Sequence, residues 1–107
     1  MIGAAAAGAV SYDHNEASMD FKATLTETWQ ATVRAMRHLG YKIEGDPMPG
    51  ATDGTIAVDK TKVVVELHPG GYVRVRASVG TFDTDDNERR AKLIIEEVTQ
   101  QMPRLRP

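Results

Sequence analysis

One stretch of this chain decides its fold: residues 62–77 read Lys-Val-Val-Val-Glu-Leu-His-Pro-Gly-Gly-Tyr-Val-Arg-Val-Arg-Ala. Apolar and polar residues alternate on both sides of a turn sequence, which is typical of two strands that each bury one face. The central Gly70-Gly71 pair can supply the positive φ angles of a tight turn. The positions predicted to face the core are Val63, Val65, Leu67, Val73, Val75 and Ala77. The pattern therefore predicts an antiparallel hairpin.

A further strand is predicted just before this hairpin, over residues 52–59, where Ile56 and Val58 alternate with polar residues. The polar run 59–62 is short enough for a tight connection. Three strands joined by short turns pair as an antiparallel meander. A shorter alternation over 41–44, Tyr-Lys-Ile-Glu, predicts one more strand, and 45–50, Gly-Asp-Pro-Met-Pro-Gly, has the composition of a loop.

The first of two helices is predicted over residues 25–39. Thr24 and Glu27 have the spacing of a capping box, and Gly40 suits the left-handed residue that follows a helix. We expect Trp29, the largest apolar side chain, to attach this helix to the sheet. The apolar residues at helical spacing are Leu25, Trp29, Val33, Met36 and Leu39.

The second helix follows a run of acidic residues and is predicted to end at Pro103. Carboxylates in a first helical turn oppose the positive end of the helix dipole. These acidic residues are Asp83, Asp85, Asp86 and Glu88. The predicted buried stripe consists of Ala91, Ile94, Ile95, Val98 and Met102.

A strand over residues 16–23 precedes the first helix, with Met19 and Phe21 on its apolar side. The predicted order is β-α-β-β-β-β-α. Because one sheet face and one stripe of each helix are apolar, we expect an α+β two-layer sandwich, with an antiparallel sheet of four to five strands and two helices on one face. The opposite sheet face would be solvated and of mixed charge. It would carry Asp20, Lys22, Lys42, Glu44, Glu66, Arg74 and Arg76.

The 107 residues suit one domain, which we place at 13–102, after a small-residue spacer at 1–12 and before a disordered tail at 103–107. The Gly/Ala run in the spacer has too little side-chain area to offset its ordering entropy. It lacks the basic residues of an export signal and the length of a membrane span. The absence of Cys excludes disulfides and thiol chemistry, and the net charge of −2 gives no general attraction to nucleic acid.

Several short motifs follow one another in a distinctive order. They are the small-residue run 3–10 with Ser11-Tyr12, the Trp29 helix, Leu39-Gly40-Tyr41, the segment 52–56, and Val79-Gly80-Thr81-Phe82. Over most of residues 3–101 the chain resembles a family of small bacterial lipoprotein domains of unknown function. Members of that family carry a signal peptide and a lipid-attachment Cys before the Gly/Ala run. The resemblance therefore implies the cell envelope or periplasm, with an anchor outside this chain, whereas a native start at Met1 implies the cytoplasm. It supplies no catalytic or ligand residues.

Two groups of residues are candidates for metal or acid–base chemistry. The acidic cluster at 83–88 offers oxygen ligands, but it lacks the spacing and central Gly of a calcium loop, and helix capping explains it. The three histidines, His14, His38 and His68, are far apart and lack zinc-site spacing. A helix C-terminus is a sufficient structural reason for His38. We therefore predict no catalytic, cofactor or metal residue.

The cations of the outer sheet face are the candidates for binding phosphate or an acidic partner. They are Lys22, Lys42, Lys62, Arg74 and Arg76. Interleaved acidic residues favour a plain solvated face, and only Tyr41 and Tyr72 are available to stack on bases. We therefore expect no nucleic-acid binding. Gly50 and Gly70-Gly71 are interpreted as turn residues because no phosphate-loop motif follows them.

Three functions remain as hypotheses. The first is a non-enzymatic cell-envelope domain that binds a protein, or a second copy of itself, through an exposed sheet edge or the outer face. The alternative is a small-ligand pocket between the helices and the sheet, which the bulky Trp29, Phe21, Val33 and Ile95 oppose. The third is an enzyme, which would require two ionisable groups with opposed pKa perturbations, and no such pair can be named.

Overall fold

The computed structural model describes residues 10–102 and the backbone of Ala5–Ala6. The elements are β1 Ala5–Ala6, β2 Ser11–Asp13, β3 Glu16–Lys22, α1 Leu25–His38, β4 Asp53–Val58, β5 Thr61–His68, β6 Tyr72–Val79 and α2 Asp85–Gln101. Pro103 and the predicted tail at 103–107 lie outside the described residues.

The fold is an α+β sandwich, as the sequence predicts. Within the described residues the strands form one antiparallel sheet in the order β1–β3–β6–β5–β4, and β2 pairs with β3 beside β1. The meander β4–β5–β6 is confirmed. The two helices pack against each other and against the same sheet face, with α2 over β6 and β3 and α1 over β5. The short strands β1 and β2 begin within the stretch predicted as a spacer.

The tight turns follow from residues that adopt left-handed backbone. Asp59 and Lys60 connect β4 to β5 with φ of 49° and 60°, the conformation of a two-residue hairpin turn whose twist matches that of the strands. His14 and Asn15 do the same between β2 and β3, with φ of 51° and 62°. Gly70 and Gly71 also have positive φ, as predicted.

The core lies between the sheet and the helices. The inward positions of the hairpin are buried as predicted at Val63, Val65, Val73, Val75 and Ala77. Leu67 is the exception, since it remains 41% exposed next to the last position of β5, where the helices do not cover it. Val64, on the opposite face, is buried instead, opposite Arg76 of β6.

Both helices match their predictions closely. The capping box of α1 is present, with Glu27 N donating to Thr24 Oγ1 (3.0 Å) and Thr24 N donating to Glu27 Oε1 (3.1 Å). Gly40 follows α1 with φ of 98°. Thr84 is the N-cap of α2. The predicted stripe of α2 is buried at Ala91, Ile94, Ile95, Val98 and Met102.

The prediction of a strand over 41–44 is wrong. Tyr41 N donates to Met36 O (3.0 Å), and Arg37 Nη2 donates to Ile43 O (3.0 Å) and Gly45 O (2.6 Å), so the end of α1 holds this segment. The alternation is nevertheless meaningful, because the Tyr41 and Ile43 side chains pack against the core. Lys42 and Glu44 consequently do not belong to the outer face of the sheet.

Candidate functional site

The outer face of the sheet carries a network of ion pairs. Cross-strand register places Asp20, Arg74 and Glu66 in one row. The Arg74 guanidinium donates to both oxygens of Asp20, at 2.7 and 3.2 Å. Arg76 donates to Glu66 and to Glu16, each at 3.1 Å. Each guanidinium is therefore matched by carboxylates of the same face and offers little free charge to an external anion.

Neighbouring groups alter the ionisation of this network. Burial opposes the negative charge of Glu66, but the hydrogen bond to His68 (2.7 Å) and the charge of Arg76 outweigh it and lower the pKa of Glu66. The hydrogen bond to Asp20 raises the pKa of Arg74. His68 also stacks on the Tyr72 ring, with centroids 5.0 Å apart. Both of these pKa shifts favour the charged forms of Glu66 and Arg74, so their pairing on this face is stabilised.

The predicted acidic cluster is divided among separate partners. Asp86 pairs with Arg89 and Arg90, and Glu88 pairs with Lys92 at 2.8 Å. The Tyr12 hydroxyl lies 3.1 Å from Asp83 Oδ1, and burial together with this carboxylate raises the pKa of Tyr12. In residues 10–102, no group of three or more His, Cys, Asp or Glu is arranged to hold a metal ion.

The three histidines lie at three separate places. His14 is exposed beside Asp13, and His68 belongs to the outer-face network. His38, at the end of α1, places Nδ1 2.8 Å from Glu97 Oε2 on α2. Gln101 donates to the same oxygen at 2.8 Å. Sequence analysis missed this buried Glu97–Gln101 pair, for which the i,i+4 spacing on a helix was the available signal.

In the described part of the chain, the edge of the sheet at β4 is the strongest candidate for a binding site. Thr52 O accepts from Leu67 N of β5 at 2.7 Å. In an antiparallel ladder alternate residues face the partner strand, so Gly54, Ile56 and Val58 continue this bonding toward β5. The backbone groups of Thr55 and Ala57 consequently point away from the sheet. We call these two residues the open edge.

The remainder of this edge is already occupied or charged. Asp53 O, which points outward like the groups of the open edge, accepts from Gly50 N at 2.7 Å. Asp59 follows at the other end, in the turn. The opposite edge of the sheet, along β3, is covered by β1 and β2. At the β4 edge, among the described residues, Thr55 and Ala57 are thus the exposed residues whose outward strand backbone stays unpaired, while the short strands β1 and β2 form the other edge of the sheet.

The interface between the two layers is filled by side chains. Phe21, Ile94 and Ile95 are at most 1% exposed, and Trp29 is 3% exposed. These residues occupy the positions at which a pocket between helices and sheet would have to open. The packing therefore counts against the small-ligand alternative.

Comparison with protein-family models and with curated proteins finds no match to this chain. None of the helices in the described residues has the length and apolar character needed to cross a membrane.

Proposed function

We propose that this chain is a non-enzymatic, lipoprotein-like domain of the bacterial cell envelope that binds another protein by accepting an added strand at the open edge of β4. The observation that carries the proposal is the outward direction of the backbone groups of Thr55 and Ala57. An extended peptide binds such an edge by continuing the ladder of main-chain hydrogen bonds. The envelope location rests on the resemblance of the ordered motifs to bacterial lipoprotein domains.

The size of the open edge limits the strength of this interaction. Two residues offer two N–H and two C=O groups, and hydrogen bonds contribute about 0.5–1.5 kcal/mol each, so the edge supplies roughly 2–6 kcal/mol. Association costs about 4–15 kcal/mol in lost freedom of motion. A partner therefore needs side-chain contacts beside the edge, and binding at the edge alone is weak and transient.

Site-specific photocrosslinking in the cells that make this protein tests the proposal. A photoreactive amino acid at Ala57, which is exposed on the edge, should give one discrete adduct with a partner protein. The same group at Glu96, exposed on α2, serves as the control and should give none. Adducts that are equal at the two positions would overturn strand addition, and an adduct of twice the chain mass would identify the partner as a second copy.

Proline then shows whether the backbone is what the partner binds. Thr55→Pro removes an outward N–H without removing a bond to β5, and proline is tolerated on edge strands. This change should abolish the adduct at position 57, whereas Thr55→Ser, which keeps the N–H, should preserve it. Survival of the adduct with proline would show contact without strand pairing.

The location has its own test, in the natural gene. A coding sequence ahead of Gly3 for an apolar export segment that ends in Cys would support the lipoprotein-like part of the proposal. Recovery of the natural gene product from the cytoplasmic fraction would overturn it.

A further inference from the structure

A groove runs along one side of α1, between the helix and the loop that follows residue 45. Its lining includes Trp29, Val33, Arg34, Arg37, Pro47 and Met48, and we call these residues the α1 groove. We propose that the α1 groove binds an extended segment of a partner protein that places an apolar side chain next to carboxylates. The groove is separate from Thr55 and Ala57, so this inference holds whether or not a strand is added to β4.

The loop side of the groove is held in place by its own hydrogen bonds. Trp29 Nε1 donates to Pro47 O at 2.8 Å, and Gly50 N donates to Asp53 O at 2.7 Å. Arg37 holds the start of the loop through the carbonyl oxygens of residues 43 and 45. The loop is thus attached before, within and after the Pro47–Met48 pair, and a surface of this kind binds with little ordering cost.

This attached loop nevertheless presents a large apolar side chain to water. Met48 is 77% exposed, although it follows a residue bonded to the buried Trp29. Beside it, α1 contributes the edge of the apolar Val33, which is 8% exposed. Methionine adapts its shape to different apolar partners, and it is common on surfaces that bind protein segments. The shape of the groove therefore suits an apolar side chain inserted between α1 and Met48.

The charge of the α1 groove determines which groups of the partner are favoured next to its apolar side chain. In the described part of the chain, Arg34 makes no ion pair or hydrogen bond, and Arg37 donates only to neutral carbonyl oxygens. Asp46 is the one acidic residue of the lining, and it makes no ion pair with either arginine. The groove is locally positive on a chain whose net charge is −2. Carboxylates, which match the guanidinium fork, are its complement.

A peptide titration followed by ¹H–¹⁵N NMR tests this inference on the whole chain. The probe is acetyl-Glu-Glu-Leu-Phe-Glu-amide, with acetyl-Lys-Lys-Leu-Phe-Lys-amide and acetyl-Glu-Glu-Ser-Ser-Glu-amide as controls for charge and for the apolar residues. The chain has a single Trp, so its indole N–H signal reports the groove directly. We expect saturable shifts at Trp29 and at the amides of Asp46 and Met48 with the first peptide alone. No saturation, or equal shifts with the lysine peptide, would overturn the proposal.

Matched variants assign the effect to the groove. Arg34→Gln should weaken binding by up to about fivefold, the value of an exposed ion pair, whereas Arg90→Gln, an exposed arginine of α2, should leave it unchanged. Met48→Ser should also weaken binding, whereas Phe82→Ser, at an apolar residue of similar exposure (73% against 77%), should not. Loss of binding in a control variant would refute the assignment.

Two further measurements distinguish the proposed peptide ligand from a second copy of the chain and test whether the α1 groove is independent of the open edge. Concentration-dependent shifts of Trp29 without peptide would identify a second copy as the occupant and would overturn the peptide proposal. Thr55→Pro should leave peptide affinity unchanged, since the groove does not use the open edge. A parallel loss of affinity in that variant would overturn the inference that the α1 groove binds independently of the open edge.

Discussion

Gly54 lies where β4 passes beneath Trp29 and Pro49, and replacing it with alanine tests the packing at that junction. A Cβ at this position would lie 2.6 Å from Trp29 Cζ3 and 2.9 Å from Pro49 Cα. Neither neighbour moves freely, because the indole is buried and bonded to Pro47 O, and the Pro49 atom is backbone. We therefore expect Gly54→Ala to destabilise the fold.

Two opposing terms set the magnitude. Overpacking a filled site costs about 1–3 kcal/mol. The replacement also removes unfolded-state freedom, which stabilises by about 0.4–1 kcal/mol where the backbone is compatible. The two terms leave a net loss of up to about 2.6 kcal/mol. Each kcal/mol of loss lowers the Tm of a domain of this size by roughly 4–8 °C.

Urea unfolding followed by far-UV circular dichroism measures this loss, with Thr55→Ala on the exposed side of the same strand as the control. An unchanged or higher midpoint for Gly54→Ala would refute the reasoning. The double variant with Trp29→Phe, which lacks the clashing Cζ3 atom, should show a coupling of about 0.5 kcal/mol or more. Additive effects would mean that Trp29 is not the obstacle.

Three further predictions concern stability. Thr24→Ala removes the cap of α1 and should cost about 1 kcal/mol in urea unfolding, whereas an unchanged midpoint would mean that the capping box contributes nothing. Ile95→Ala should cost about 2–5 kcal/mol because it leaves a cavity, while Leu93→Ala, on the exposed side of α2, should cost far less, and equal losses would contradict the assigned core. Although burial opposes its charge, the bond to His68 helps hold the pKa of Glu66 below its usual value. Stability from this group is therefore present at neutral pH and is lost as the pH falls through the lowered pKa. Glu66→Gln should accordingly flatten the acid side of the stability–pH curve, and an unaltered curve would exclude this group.

The sheet and helices could be predicted because local chemistry and global fold agree there. Two-residue alternation over 62–77 specifies which face is buried, and short turns restrict how the strands pair. The capping box at Thr24 is a local signal that needs no tertiary information. These features depend on residues that are close in sequence, so they can be predicted without a structure.

The features that the sequence did not predict depend on contacts between elements that are packed together in the fold. Alternation over 41–44 correctly indicates two buried side chains, but it carries no information on whether the backbone finds a strand or, as here, the end of α1. Burial of Leu67 depended on how far the helices extend over β5, which is a property of the packed layers. The contact of His38 with Glu97 joins two helices and is likewise invisible to local patterns.

The sequence predicts that the sheet has an edge to which a partner could bind, but it does not predict which strand forms that edge. Any open sheet has an edge, but the sequence does not say which strand occupies it. β4 is one edge of the sheet, and the short strands β1 and β2 take the other edge from β3 through pairing that the small-residue run near the chain start does not predict. The α1 groove was not predicted at all, because the loop at 45–50 has the composition of an ordinary turn region.

The narrowness of the open edge is a reason to consider it together with the α1 groove. Gly50 N donates a hydrogen bond to Asp53 O, so the unpaired backbone of this edge is limited to Thr55 and Ala57. So short an edge is less prone to indiscriminate strand pairing. An edge this short orients a strand but does not distinguish one sequence from another, since backbone groups are common to all peptides. Discrimination must therefore come from side-chain contacts. Because the outer-face arginines are already paired, such contacts are to be sought at the exposed Met48 and at Arg34, which has no ionic partner among residues 10–102.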